Sequence, residues 1–195
     1  FILEIAINHF VKGAKEATGI CVIIDVFRAC SVMCYAHQQN IKNYIVSDNI
    51  NTIKRLKLLF PKAIYIGKNH NKTETLFNIN NSPKEIVEKC VLEKNVIHNS
   101  AGGVVGLVSS IIADEVITGS FVNARAISEY IKYKKPEKVT LVSLGHLGQI
   151  HSIEDLLCAE YIKDLIEGNI TDEKSLYSKV KNEMLKAFKE NNHPE

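Results

Sequence analysis

The sequence predicts a three-layer α/β/α protein in which helices cover both faces of a largely parallel or mixed sheet. Short apolar runs that suit buried strands alternate along the chain with segments that suit helices. The first such run, residues 19–26, is apolar almost throughout, which is typical of a strand that is buried on both faces. Hydrophobic residues make up 46% of the 195 residues, which is enough for a sizeable core.

Local signals bound the elements that follow. Asp48 suits the N-cap of a helix over residues 51–60, and Ser152 with Asp155 has the spacing of a capping box. Residues 68–83 lack periodicity and predict a long loop, a kind of segment that is often functional. The predicted order is strand 19–26, helix 27–39, strand 41–46, helix 51–60, strand 63–67, strand 94–98, a helix ending at 113, strand 115–118, helix 123–133, strand 138–144, helix 152–168 and helix 171–189.

The length suits one large domain or two small, tightly joined lobes. The chain contains no internal repeat and no linker-like segment, so we expect residues 1–195 to form a single domain. The chain begins with Phe1 rather than Met, so we expect residues to precede it in the natural protein.

Charge and cysteine content disfavour several classes of protein. The net charge is only +2 and the basic residues are scattered, which argues against binding to nucleic acid. No apolar run approaches the roughly 18–20 residues of a membrane span. The cysteines form no C-x-x-C pair and match no zinc-site spacing, which disfavours a redox or metal-thiolate protein. They predict reduced thiols in the cytoplasm, at Cys21, Cys30, Cys34, Cys90 and Cys158.

In parallel sheets, ligands gather beyond the carboxyl ends of the strands. Asp25 ends the first predicted strand and Arg28 lies in the first turn after it, so this pair could hold a divalent cation and a phosphate. The two side chains could equally pair with each other or cap the helix. Glu154 and Asp155 open a later helix, where they could bind magnesium or serve only as helix-capping acids.

Two turns at the same edge are further candidates. The backbone N–H groups of residues 99–103 could cradle an anion, or the glycines could serve only to make a tight turn. Ser120 and Asn123 could contact a ligand, although Asn123 also suits the N-cap of the next helix. Three histidines lie in loops there, and we interpret them as turn or surface residues rather than nucleophiles: His98, His146 and His151.

Five segments, taken in order, resemble the ComB family, the 2-phosphosulfolactate phosphatases. Each is close to a motif of that family, and their order and spacing make the resemblance more specific than any one of them. The segments are VIIDVFRA at 22–29, FNINNSP at 77–83, NSAG at 99–102, ADEVITGSFVNA at 113–124 and EDLLCA at 154–159.

The resemblance implies magnesium-dependent hydrolysis of 2-phospho-3-sulfolactate to 3-sulfolactate and phosphate, a step of coenzyme M synthesis in archaeal methanogens. For this chain it implies a phosphomonoester of a small sulfonated or carboxylated hydroxy acid as substrate, attacked either by metal-bound water or by an enzyme carboxylate. The implied magnesium ligands are Asp25, Glu154 and Asp155. Arg28 joins them as a catalytic residue, and the implied substrate-binding residues are Lys68, Asn78, Ser100, Gly102, Gly103, Ser120 and Asn123.

The resemblance also implies a further C-terminal segment after Glu195, and the chain departs from the family pattern at four positions. An acid, an arginine, an acid and a threonine are replaced by Lys68, Asn69, Asn78 and Gly103. Lys68 could repel the metal or bind phosphate as a point charge. The alternative function is therefore a non-catalytic relative that binds an anion or a protein partner. The expected partner of the enzyme is a small phosphorylated acid, with no nucleic acid or membrane, and a homodimer is an option that the sequence leaves open.

Overall fold

A computed structural model of the chain describes residues 3–69, 75–89, 91–92 and 94–189. Strands and helices alternate along these residues, and every strand pair is parallel, which confirms the predicted α/β class. The strands are β1 (Glu4–His9), β2 (Ile20–Ile24), β3 (Asn43–Val46), β4 (Ile64–Ile66), β5 (Asn95–His98), β6 (Glu115–Gly119) and β7 (Lys138–Ser143). The helices are α1 (Phe10–Lys15), α2 (Ala29–Gln38), α3 (Ile50–Leu59), α4 (Pro83–Lys89), α5 (Gly103–Ser109), α6 (Ala124–Lys134), α7 (Ile153–Glu167) and α8 (Glu173–Lys189).

The larger sheet contains four strands in the order β1-β7-β2-β6. Its central strand β2 is buried at every residue, as its unbroken apolar sequence predicts for a strand covered on both faces. On one face Val22 packs with Ile127 of α6 and Ile162 of α7. On the other face Ile23 packs with Leu107 of α5. These layers give the three-layer arrangement that the sequence predicts.

The smaller sheet contains three strands in the order β3-β5-β4. Helices α2 and α4 cover one of its faces, where Val32 and Ile86 pack with Val96. Helix α3 covers the other face through Ile53, which packs with Ile97. Helix α2 therefore begins after a strand of the larger sheet and packs on the smaller one, so it joins the two sheets.

Three elements in the structure were not predicted: β1, α1 and α4. Strand β1 lies at the edge of its sheet and is only half-buried, so it lacks the apolar run that marks β2. Helix α4 has only seven residues, although Pro83 at its first position is a recognised helix-start signal. Two predicted helices are shorter than expected, since α2 begins at Ala29 and α5 ends at Ser109. Residues 70–74 of the predicted loop lie outside the described residues.

The predicted N-cap at Asp48 is wrong, because the neighbouring Asn49 caps helix α3. Asn49 has extended backbone angles, and its Oδ1 accepts hydrogen bonds from the N–H groups of Asn51 and Thr52 at 2.9 and 3.2 Å. These bonds satisfy two of the N–H groups that a helix start leaves unpaired.

The described part of the chain contains no helix that is long and apolar enough to cross a membrane. Of the cysteines, Cys21, Cys30, Cys34 and Cys158 are free thiols. Cys90 lies outside the described residues.

The position of the cap can be tested by stability measurements. We expect Asn49→Ala to lower the free energy of unfolding by about 1 kcal/mol, because two N–H groups lose their acceptor. The matched change Asp48→Ala removes an exposed side chain and is expected to cost less than about 0.5 kcal/mol. Urea unfolding of both variants measures these differences, and a larger loss for Asp48→Ala would show that the cap is misplaced.

Candidate active site

The candidate site lies where the strands of the larger sheet end. In the strand register Ile24 lies opposite both Gly119 and Ser143, so β2, β6 and β7 end at the same level. Asp25 follows directly after β2. The residues that the carboxyl-end rule selects on these three strands therefore meet at one edge of the sheet, as the sequence predicts.

Asp25 is buried and is held by backbone donors from two segments. Its Oδ2 accepts a hydrogen bond from the N–H of Gly103 at 2.7 Å, and its Oδ1 accepts one from the N–H of Ala29 at 3.3 Å. A Cβ at Gly103 would lie 2.8 Å from Oδ2 of Asp25 and 2.7 Å from Cβ of Ala29. The close approach of this N–H to the carboxylate therefore depends on glycine at position 103.

Asp155 does not form the predicted capping box. Ser152 occupies the N-cap position of α7 but its side chain makes no capping hydrogen bond. The Asp155 carboxylate instead accepts hydrogen bonds from the N–H of Val26 at 2.8 Å and the N–H of Gly145 at 2.9 Å. Asp155 thus joins the loop after β2 to the loop after β7.

Burial and mutual repulsion shape the acid–base properties of these carboxylates. Burial raises the pKa of Asp25 to about 6, and the Glu154 charge adds to the rise, while the N–H groups of Gly103 and Ala29 and the charge of Arg28 oppose it. Burial also raises the pKa of Asp155 well above its ordinary value, helped by the charges of Asp25 and Glu154.

Glu154 is the acid with the most freedom to bind a ligand. Its side chain is buried, with 8% exposure, and its carboxylate accepts no hydrogen bond from any other described residue. It lies close enough for its charge to raise the pKa of both Asp25 and Asp155. The structure therefore brings the three predicted metal-ligand residues into one electrostatic neighbourhood.

The same three carboxylates are chemically suitable ligands for magnesium, since Mg²⁺ prefers oxygen ligands and would relieve the repulsion between their charges. Each bonded carboxylate oxygen of Asp25 and Asp155 retains a further lone pair for a ligand. In their present arrangement, the described residues include no group of three or more His, Cys, Asp or Glu side chains that could hold a metal ion. The magnesium site formed by Asp25, Glu154 and Asp155 stays a prediction.

Arg28 lies at the entrance to this buried group. It occupies the N-cap position of α2, its side chain is exposed, and it makes neither a capping hydrogen bond nor an ion pair with another described residue. Its positive charge lowers the pKa of Asp25, so the two groups are near each other. Arg28 therefore does not form a close ion pair with Asp25, which was one of the alternatives that the sequence left open.

The turn at residues 99–103 links the smaller sheet to Asp25. The Asn99 side chain donates to the carbonyl oxygen of Ser47 at 2.8 Å, beside the end of β3. At its other end two N–H groups already have acceptors: Gly103 donates to Asp25, and Val104, the next residue, donates to Ser100 Oγ at 3.1 Å. Gly102 occupies the N-cap position of α5 and lies near Asp25. Anion binding by Ser100, Gly102 and Gly103 stays a prediction.

Ser120 and Asn123 form hydrogen bonds within the turn that follows β6. The Ser120 N–H donates to Oδ1 of Asn123 at 2.9 Å, and the Asn123 amide donates to the Thr118 carbonyl at 2.8 Å. The buried Ser120 Oγ accepts a bond from the N–H of Val122 at 3.2 Å. Asn123 occupies the N-cap position of α6 without a capping bond from its side chain. These contacts give both residues a structural role, and ligand contacts by them stay a prediction.

Three residues predicted to depart from the family pattern, Lys68, Asn69 and Asn78, follow β4 of the smaller sheet in the chain. Asn78 Oδ1 accepts a bond from the N–H of Tyr65 at 2.8 Å. The Asn69 amide pairs with both the N–H and the carbonyl of Phe77, each at 3.1 Å. Both side-chain amides therefore form hydrogen bonds with backbone groups, and these bonds do not require a charged side chain. The Lys68 side chain is exposed.

Sequence reasoning missed one residue at the site edge. His9 is the last residue of β1, where it lies opposite Ser143 of β7. Its ring centroid is 5.1 Å from that of His151, which lies in the loop before α7. A prediction of β1 as a strand would have placed His9 at the carboxyl edge, because the strand ends there.

The chain is similar to known proteins over most of its length. The chain matches the family model described as 2-phosphosulpholactate phosphatase over residues 6–195. Three similar curated proteins are each named "Probable 2-phosphosulfolactate phosphatase". The protein of Caldicellulosiruptor saccharolyticus is 27% identical over 174 residues, which cover 86% of this chain and 72% of the relative. That of Bacillus subtilis is 26% identical over 168 residues, with coverage of 85% and 72%. That of Clostridium perfringens strain SM101 is 32% identical over 147 residues, with coverage of 73% and 59%.

From the raised pKa of Asp25 we predict how the free energy of unfolding depends on pH in metal-free buffer. The folded-state pKa of about 6 lies above the ordinary value of 3.8, so between these pH values the unfolded chain has released a proton that the folded chain retains. The wild type therefore loses stability as pH rises from 4 to 7, by an amount on the order of 1–3 kcal/mol from this group.

Asp25→Asn has no charge to bury, so its stability relative to wild type is expected to rise between pH 4 and pH 7. Urea unfolding at both pH values measures this difference. The matched variant Asp48→Asn removes an exposed carboxylate and should show little change in its difference from wild type. A difference for Asp25→Asn that stays constant, or falls with rising pH, would contradict the account.

Proposed function

The chain belongs to the 2-phosphosulpholactate phosphatase family, and from this we propose that it is a magnesium-dependent phosphatase acting on a phosphomonoester of a small sulfonated or carboxylated hydroxy acid. The observation that carries the proposal is the group of buried carboxylates, Asp25, Glu154 and Asp155, at the carboxyl edge of a parallel sheet. Buried acids with raised pKa values cluster at sites that bind ions or move protons.

Arg28 is the proposed first contact for the phosphate. It is exposed and lies near Asp25, and a guanidinium can donate two parallel hydrogen bonds to phosphate oxygens. Ser100, Gly102 and Gly103 border the same carboxylate and are the proposed second contact. Lys68 adds a positive charge near the end of β4. Proposed contacts by Asn78, Ser120 and Asn123 with the substrate carry less support, because their side chains are already bonded to backbone.

Magnesium, held by Asp25, Glu154 and Asp155, would screen these carboxylates from the substrate's negative charge and polarise the phosphorus–oxygen bond. The protein's own part is to orient the acids. Gly103 and Ala29 fix both oxygens of Asp25, and Val26 and Gly145 fix both oxygens of Asp155. Because the pKa of Asp25 is about 6 without metal, binding of Mg²⁺ to this carboxylate would release a proton near neutral pH.

The non-catalytic alternative rests on the replacements at positions 68, 69 and 78, and the comparisons do not favour it. Asn69 and Asn78 bind backbone groups, so their loss of charge is compatible with an intact buried carboxylate group. We also propose a cytoplasmic location, for which the free thiols are the support. A small phosphorylated acid is the proposed partner, and the homodimer stays an option.

Phosphate release tests the proposal. The purified chain is incubated with 2-phospho-3-sulfolactate and with glycerol 2-phosphate, in EDTA and then with added Mg²⁺. We expect magnesium-dependent release, and we expect Asp25→Asn and Glu154→Gln each to lower kcat by about 10²–10⁴-fold, because each removes a reacting or metal-binding carboxylate.

Asp48→Asn is the matched control, since it removes an exposed carboxylate that follows β3 of the smaller sheet, and it is expected to leave kcat unchanged. Circular dichroism confirms that each variant is folded. If the folded wild type released no phosphate from either ester, the phosphatase assignment would fail and the non-catalytic alternative would replace it.

A further inference from the structure

Two histidines meet at the carboxyl edge of the larger sheet, on the side away from Arg28. The strand order β1-β7-β2 places the end of β7 between His9, at the end of β1, and the loop after β2 that carries Arg28. His151 lies three residues before Glu154. The two imidazole rings are 5.1 Å apart between centroids and meet edge to face at 70°.

The backbone holds both histidines in fixed positions. Phe10, next to His9, has a φ of +64°, which is unusual for a bulky side chain, and its ring centroid lies 4.5 Å from that of His151. The Val11 N–H donates to the Gly148 carbonyl at 3.0 Å, which ties the start of α1 to the loop that leads to His151. Strained residues of this kind persist where the surrounding structure holds them, often beside functional groups.

Gly145 fixes the same loop from its other end. Its φ is +75°, and a Cβ there would lie 2.1 Å from the Ile150 carbonyl oxygen. His146 and Ile150 exchange two backbone hydrogen bonds, at 2.8 and 3.1 Å, which closes the loop just before His151. The imidazole pair is therefore carried by a firmly closed loop on one side and by a strand end on the other.

The pair has hydrogen-bonding capacity that the protein leaves unused. Nδ1 of His9 is buried and has no hydrogen-bond partner among the residues that the structure describes. Leaving such an atom unpaired costs about 1–3 kcal/mol. His151 is exposed, so the buried nitrogen of His9 lies beside a group that a solute can reach. A small ligand with polar oxygens can reach the exposed His151 ring directly, and it would reach the buried nitrogen of His9 when the His151 ring moves aside.

Charge indicates which kind of ligand fits. The neighbouring acids Asp25, Glu154 and Asp155 repel anions, so a substrate with acid groups besides its phosphate needs donors on both sides of them. Arg28 supplies donors on the β2 side, and the histidines supply imidazole N–H groups on the β1 side. Strands two positions apart are separated by about 10 Å, which a small diacid and its hydrogen bonds of about 2.9 Å can span.

We propose that His9 and His151 bind one of the substrate's acid groups other than the phosphate, a sulfonate or a carboxylate, by donating imidazole hydrogen bonds to its oxygens. The proposal rests on the proposed phosphatase function for the identity of the substrate and adds the residues that select it. His9 and His151 then set specificity, and the carboxylates at the end of β2 and the start of α7 carry the chemistry.

Kinetics separate selection from chemistry. We expect His151→Gln to raise KM for 2-phospho-3-sulfolactate about tenfold or more, with a much smaller change in kcat, because a hydrogen bond to a charged group is lost. KM for glycerol 2-phosphate, which has no second acid group, is expected to stay unchanged. His9→Gln should act in the same way, and His37→Gln, which alters a histidine stacked on Tyr44 of the smaller sheet, is the control. An equal change for both esters, or no change for either, would overturn the proposal.

Binding measured by NMR is independent of turnover. Imidazole signals of His9 and His151, assigned from the two Gln variants, are followed as 3-sulfolactate, malate or glycerol is added. Saturable shifts with 3-sulfolactate or malate but not with glycerol are expected, and the ligand that binds more tightly identifies sulfonate or carboxylate as the preferred group. Such shifts in a protein without phosphatase activity would support this site while refuting the proposed function, and unmoved signals in an active enzyme would refute the site alone.

Discussion

The hydrogen bonds that Asp25 and Asp155 accept from backbone N–H groups hold together the edge of the larger sheet. Their donors come from the loops after β2 and β7 and from the start of α5, so two carboxylates fix three segments that are distant in sequence. Taking carboxylates out of water costs several kcal/mol each unless they are well bonded. The four N–H bonds offset part of this cost, and the raised pKa values of both acids show that the offset is incomplete.

This arrangement dictates residue types elsewhere. Gly103 is needed because a Cβ would occupy the space through which its N–H reaches Asp25, and Gly145 is needed because its loop turns with a positive φ against Ile150. A threonine at position 103 would meet both Asp25 and Ala29. Glycine at this position is thus part of how this chain packs its buried acid.

The sequence predicts those parts of the structure that depend on local pattern. The buried strand β2, the acid at its end and the alternation of strands and helices all follow from short apolar runs. The division into two sheets could not be predicted, because hydrophobic periodicity indicates where a strand lies in the sequence but not which strands it pairs with. The spacing of Ser152 and Asp155 suits a capping box and a long-range contact equally, and only the fold brings Val26 and Gly145 to the carboxylate. The place of His9 at the site edge could not be predicted, because β1 is a half-buried edge strand and its sequence lacks an apolar run.

Amide hydrogen exchange at the two donors of Asp155 tests this account most directly. The N–H groups of Val26 and Gly145 should be protected in the wild type. In Asp155→Asn, whose amide nitrogen cannot accept a bond, at least one of them should exchange about tenfold faster or more. The Tyr65 N–H, which donates to Asn78 in the smaller sheet, should be unchanged. Unchanged exchange at Val26 and Gly145, or equal acceleration at Tyr65, would contradict the role assigned to Asp155.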